Sequence, residues 1–195
     1  MLSPDYADAV AYAADLHRDQ VRKGTDVPYL AHLLAVSALV LEAGGDEGQA
    51  IAALLHDALE DQGDRTSYEE IERRYGGQVA SVVRECSDTE EQPKPPWRER
   101  KERYLEHLRS ASEDAVLVSA ADKLHNATAI TTDLREIGPQ VWERFNAGVE
   151  GQLWYYSGLV QVLQERLPGS RLTQQLTRVV AEMHDLVHGR GRASD

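Results

Sequence analysis

An all-α fold of roughly ten helices is the architecture expected of this chain, and three features of its sequence argue for it. Apolar residues recur at three- and four-residue spacings through most of its length. Helix start and stop signals bracket each periodic segment, and no alternating run of useful strand length interrupts them. The chain has 195 residues, 42% hydrophobic and 28% charged, enough for a single domain with one continuous core.

Each element has its own signal. Ser3-Pro4-Asp5 supplies a cap, a first-turn proline and an early acid, opening a helix that runs to about Lys23, where "GTDVP" breaks it. A second helix fits "YLAHLLAVSALVLEAG", closed by Gly44-Gly45. Asp46 caps a third, which runs to about Asp61. Thr66 and Glu69 make a capping box for a short fourth helix ending at Gly76-Gly77, and a fifth covers roughly Gln78 to Asp88. "TEEQPKPPW" carries three prolines among polar residues and reads as a loop. Helices follow near 97–110, 114–135, 139–148, 150–167 and 171–188, with Pro168-Gly169 separating the last pair and a frayed tail at 189–195. No fixed-period repeat is visible.

Composition narrows the function. A formal net charge of −12 argues against a general nucleic-acid or anionic-membrane binder, because phosphate backbones are repelled. A small anionic ligand stays open, provided a metal or a local basic patch reverses the field. The one cysteine, Cys86, excludes an internal disulfide framework and reads as a small buried hydrophobe. The N-terminus lacks the basic and apolar regions of a signal peptide, and no apolar run approaches the roughly 18 residues of a membrane span, so a cytoplasmic protein is expected.

The stretch "AALLHDALED", residues 52–61, carries the chemistry. On a continuous helix Ile51, Leu54, Leu55, Ala58 and Leu59 form an apolar arc about 140° wide. His56, Asp57, Glu60 and Asp61 fill the complementary arc as two i,i+4 pairs. One reading is a solvated helix face with a His–Glu pair. The other is a metal site: adjacent His-Asp supplies the nitrogen and oxygen donors that suit divalent transition ions, and a cation relieves the repulsion between Asp57 and Asp61. Further ligands are available in His32, among Leu30, Leu33, Leu34 and Val36, and in Asp122, on the alanine-rich "VLVSAADKLHNA" that lets a helix approach its neighbour closely. Asn126 follows Asp122 by one turn.

A histidine, then His-Asp, then a distant aspartate, in this order, resembles the HD superfamily of metal-dependent phosphohydrolases. The flanking "HRDQVRKGTDVPYLAH", "AALLHDALED" and "AADKLHN" are similar to the hydrolase domain of the RelA/SpoT-homologue family, and most of all to its small stand-alone alarmone hydrolases. The resemblance covers about residues 5–165. It implies an HD helical bundle that cleaves the 3′-diphosphate of the stringent-response nucleotide (p)ppGpp, giving GDP or GTP and pyrophosphate, with no length left for a synthetase half. It also implies His32, His56, Asp57 and Asp122 as ligands of one divalent ion, usually Mn²⁺, with Glu60 and Asp61 activating the attacking water. Arg22, Lys23, Lys101 and Asn126 match residues that contact the guanine nucleotide, and Arg98 is expected to face the site beside Lys101.

Two positions depart from the family pattern. Leu33 replaces a proline, and Asn126-Ala127-Thr128-Ala129 replaces an Asn-Met-Arg-Thr run whose threonine contacts the nucleotide. Two other readings therefore stay open. One is the same chemistry on a nucleoside monophosphate or the 2′-phosphate of NADPH, and the other a catalytically silent nucleotide sensor, which the intact Glu60-Asp61 pair disfavours. Trp97 serves either as a hydrophobic anchor or as a stacking surface. His107, His125, His184 and His188 lack a comparable acid constellation and read as ordinary surface or core histidines.

Overall fold

The computed structural model describes residues 1–87 and 93–189. Among these residues it is all-α: ten α-helices and one 3-10 helix, with an isolated antiparallel bridge, Val21–Pro28, as the one β pairing. In chain order the helices are α1 (Pro4–Leu16), α2 (Tyr29–Glu42), α3 (Glu47–Leu55), α4 (Ala58–Asp61), α5 (Tyr68–Tyr75), α6 (Gly77–Cys86), α7 (Trp97–Ser110) and α8 (Glu113–Ile137). The 3-10 turn Gly138–Arg144, α9 (Gly148–Arg166) and α10 (Arg171–His188) complete the order. No helix among the described residues is long and apolar enough to cross a membrane. Part of the Pro-rich loop, Asp88 at the expected end of the fifth helix, and residues 190–195 of the expected frayed tail lie outside the described residues.

α8 is the axis of the molecule, packed against α2, α3, α6, α9 and α10. Its Ala115, Ala120, Ala121 and Ala127 are fully buried, so small side chains let the neighbouring helices close in on Asp122. The buried hydrophobic residues form one continuous cluster from Ala9 to Met183. Caps behave as the sequence suggests at Ser3, which accepts from Asp5 N (3.1 Å), and at Asp46, which makes a full capping box with Gln49.

Four boundaries differ from expectation, each for a tertiary reason. α1 stops at Leu16 rather than Lys23, because Arg22 N bonds Val27 O (2.8 Å) and Tyr29 N bonds Gln20 O (2.9 Å), folding residues 17–28 into a tight excursion. The cap of α5 is Ser67, not Thr66; the Thr66 hydroxyl is buried and accepts from Tyr12 OH (2.7 Å). Residues 138–144 form a 3-10 helix instead of an α-helix. The stretch 46–61 is not one helix: α3 ends at Leu55, Asp57 sits at φ −98°, ψ 0°, and α4 starts afresh. Every residue of α3 from Ala50 to Leu55 is buried, so this helix is enclosed on all sides rather than along one stripe.

Candidate metal centre and adjoining cavity

The enclosed end of α3 builds the centre. His56, still helical at φ −58°, ψ −29°, is only 2% exposed because neighbouring helices cover α3 on every side, including the face that a wheel of residues 46–61 makes polar. His32 reaches the same point from α2 and Asp122 from the middle of α8. His32 Nε2 lies 3.1 Å from Asp122 Oδ1 and 3.9 Å from Asp57 Oδ2, and His56 Nε2 lies 3.0 Å from Asp57 Oδ2 and 3.6 Å from Asp122 Oδ1. Donor atoms of His32, His56 and Asp57 all fall within 4.8 Å of one another, and this group could hold a metal ion.

Both Nε2 atoms are buried, yet neither makes an aligned hydrogen bond. Nitrogens and carboxylates converge on the space between them rather than on each other. The far side of each ring explains why. His56 Nδ1 lies 2.8 Å from Ala53 O, an acceptor, so Nδ1 carries a proton and Nε2 is the nitrogen left to face the centre, where a bound cation would take the place of its proton. His32 Nδ1 lies 2.8 Å from His125 Nδ1, and His32 presents Nε2 in the same way when it donates to His125. Two imidazole nitrogens beside carboxylates are a donor set that fits a divalent transition ion.

The electrostatics demand positive charge at this point. Burial alone would lower the His56 pKa, but the Asp57 and Asp122 carboxylates hold it well above the usual histidine range. Burial likewise opposes ionisation of Asp122, yet Lys123, followed by His32 and His56, holds it well below the usual carboxylate range. Tyr29 OH donates to Asp57 Oδ2 (2.5 Å), while Lys123 Nζ and Asn126 Nδ2 donate to the two oxygens of Asp122 (2.5 Å each). Arg22 donates to Asn126 Oδ1 (2.8 Å), which fixes the Asn126 amide with its nitrogen toward Asp122.

Glu60 and Asp61 lie on α4 beside this centre. Glu60 accepts from Lys94 (2.7 Å) and Asp61 from Gln20 Nε2 (2.8 Å); burial, then the nearby Asp57 charge, raises the Asp61 pKa. The His56 ring nitrogens face Ala53 O and the centre while Glu60 pairs with Lys94, and Asp61 N bonds Asp57 O (2.9 Å) in the new helical turn.

Next to His32 opens a cavity of about 510 Å³. Among the described residues its wall carries Arg22, Lys23, Lys101, Lys123 and Arg144 against one acid, Asp133, so a chain of net charge −12 presents a basic surface here. Tyr29, Trp97, Phe145, Tyr155 and Tyr156 supply aromatic faces. Trp97 both lines the cavity and packs edge-on against Trp154 (6.2 Å) and Tyr155 (6.0 Å), so anchor and wall coincide. Lys101 faces the cavity, with Nζ 5.1 Å from the Tyr155 ring centre. Arg98 does not line it: its guanidinium lies 3.2 Å from the Trp154 ring centre and bonds Glu102 (2.7 Å).

Several residues at the site carry no sequence signal of their own. His125, read as an ordinary histidine, backs His32; it stands three residues after Asp122, which on a helix means the same side. Tyr29, Gln20, His17 and Lys123 carry none either: the partners of Tyr29 and Gln20 are remote in sequence, His17 and Gln20 lie beyond the end of α1, and Lys123, though adjacent to Asp122, owes its importance to their common burial. His107 and His184 bond elsewhere, to Glu85 O and Ser157 Oγ (3.0 Å each).

A guanosine-3′,5′-bis(diphosphate) 3′-pyrophosphohydrolase of Xenopus tropicalis, MESH1, is 38% identical over 138 residues, 69% of this chain and 72% of that one. The Homo sapiens protein of the same name is 36% identical over 138 residues. A pyrophosphohydrolase of Aquifex aeolicus is 36% identical over 125 residues, and that match spans 17% of its much greater length. A solved structure described as a metazoan ortholog of SpoT that hydrolyzes ppGpp superposes with TM-score 0.69 at 28% identity, covering 98% of each chain. A Listeria monocytogenes structure superposes with TM-score 0.66 over 76% of this chain and 96% of its own. The HD domain model matches residues 9–152, which include His32, His56, Asp57 and Asp122, and the chain belongs to the HD domain family.

Proposed function

We propose that this protein is a (p)ppGpp 3′-pyrophosphohydrolase: water cleaves the 3′-diphosphate, releasing GDP or GTP and pyrophosphate. The observation that carries the reading is a centre of two histidines and two aspartates opening onto a basic, aromatic cavity in an otherwise acidic protein. Relatives at 36–38% identity bear that activity in their names. The chain acts as a single HD domain in the cytoplasm on a small guanine nucleotide.

His32, His56, Asp57 and Asp122 hold one divalent ion, Mn²⁺ being our choice. When bound, such an ion supplies Lewis acidity toward phosphoryl oxygens and lowers the pKa of water. The protein's own groups do the rest. Glu60 and Asp61 accept the proton of the attacking water, and a raised pKa brings Asp61 nearer the range where a base works at neutral pH. Arg22, Lys23, Lys101 and Lys123 offset the polyphosphate charge, while Asn126, braced between Arg22 and Asp122, orients the nucleotide. Tyr29 holds Asp57 in place through its hydroxyl. Arg98 acts indirectly, by fixing Trp154 behind Trp97.

Purified protein with Mn²⁺ is offered ppGpp, nucleoside mono- and triphosphates and NADPH, and products are resolved by anion-exchange chromatography. GDP and pyrophosphate are expected from ppGpp. Asp57→Ala loses both metal and turnover, whereas Glu60→Gln keeps metal and loses turnover. Orthophosphate from another substrate, with ppGpp left intact, overturns the reading, as does nucleotide binding without any turnover.

A further inference from the structure

His17 is a buried histidine that the reaction scheme leaves idle. It caps the C-terminus of α1, is 2% exposed and stacks on Tyr29 with ring centres 5.4 Å apart. Its Nδ1 lies 2.7 Å from Gln20 Oε1. The same oxygen receives Gln62 Nε2 (2.8 Å), and Gln20 in turn donates its Nε2 to Asp61 Oδ2 (2.8 Å).

The hydrogen-bonding rules fix every proton in this chain. An ionised carboxylate only accepts, so the Gln20 amide nitrogen must face Asp61 and its oxygen must face His17 and Gln62. His17 therefore donates from Nδ1, leaving Nε2 bare, and that atom is indeed buried without a hydrogen-bond partner. Burial lowers the His17 pKa and keeps the ring in this neutral form. Donors run in one direction, from His17 and Gln62 into Gln20 and from Gln20 into Asp61.

Asp61 needs such a hold. It ends α4, a helix of only four residues, so helix packing alone does not set its direction. We infer that His17 and Gln20 are positioning residues, which aim the Asp61 carboxylate at the attacking water through the chain His17 Nδ1–H, Gln20 amide, Asp61. This rests on the reading of Asp61 as part of the acid pair that takes the water's proton. It also gives a purpose to the early end of α1: a helix continued to Lys23 would carry His17 and Gln20 along its own axis rather than fold Gln20 back against α4.

Isosteric substitutions at His17 separate positioning from packing, since an asparagine nitrogen replaces Nδ1 and a glutamine nitrogen replaces Nε2. The kcat and KM for ppGpp and the Mn²⁺ affinity by calorimetry are measured for His17→Asn, His17→Gln, Gln20→Glu and Asp61→Asn. His17→Gln and Gln20→Glu lose roughly tenfold or more in kcat, with KM and metal affinity within about twofold of the parent protein. His17→Asn retains kcat within about threefold. Equal kcat in His17→Asn and His17→Gln overturns the inference, and so does a loss that falls on KM or metal affinity. Should the His17 variants fail to fold, half-buried Gln20→Glu decides alone: full kcat there refutes the chain. Asp61→Asn, expected to lose roughly a hundredfold or more, tells the two readings apart. Full activity in it removes the acid-pair assignment itself, whereas an inactive Asp61→Asn beside a fully active Gln20→Glu removes only the positioning chain.

Discussion

Lys123→Met tests the electrostatics of the centre with a side chain of similar length and helix propensity. Lys123 Nζ bonds Asp122 Oδ2 at 2.5 Å, and the two side chains are 15% and 5% exposed. Breaking a pair this buried leaves an uncompensated carboxylate, at a cost of about 3–5 kcal/mol. Asn126 and the two histidines still face Asp122, which places the loss at the lower end, about 3 kcal/mol. For a chain of this size each kcal/mol moves Tm by roughly 2–4 °C, so a drop of about 6–12 °C is expected when circular dichroism follows melting in EDTA. A divalent ion brings positive charge to the same carboxylate, so saturating Mn²⁺ should cut the drop by at least half. A variant melting within about 2 °C of the parent in EDTA would falsify the claim that Lys123 sustains a buried Asp122 carboxylate. An equal drop with and without Mn²⁺ would refute the placement of Asp122 against the ion.

Gly24 takes φ +75°, and a Cβ there would lie 2.6 Å from Arg144 Cδ, on a side chain that lines the cavity and pairs with Asp133. Gly24→Ala should cost about 1–2 kcal/mol from the backbone alone and raise KM for ppGpp severalfold as Arg144 is pushed aside; unchanged KM and Tm would contradict it. Cys86 is buried and its thiol is pushed up to about 11, so a thiol reagent at pH 8 should label it only in denaturant, and rapid native labelling would overturn that burial. Burial holds the His17 pKa in the folded chain below the ordinary histidine value of 6.5, so the unfolded chain takes the proton first. The stability of its neutral form is complete above about pH 6.5 and is lost as pH falls toward the lower folded value. Melting temperature between pH 7 and pH 5 should therefore fall less steeply in His17→Asn than in the parent, and parallel slopes would refute this.

The sequence carried what is local. Three- and four-residue periodicity, the Ser3 and Asp46 caps and the punctuating Gly and Pro residues set the all-α class and most helix boundaries, because those signals act within one or two turns. The order His32, His56-Asp57, Asp122 was equally legible, since residue type and spacing survive in one dimension. Tertiary structure alone decided the rest. α3 is enclosed by other helices on every side, so His56 at its end is buried although a helical wheel of residues 46–61 puts it on the polar face, and the helix breaks one residue later, at Asp57. His125 behind His32 and Lys123 on a buried Asp122 are pairings between groups whose value depends on shared burial, and the Gln20–Asp61 bond joins residues 41 positions apart. Burial is a property of the packed chain: it turns an acidic excess that would repel in water into a fixed set of donors around one point, facing a basic cavity.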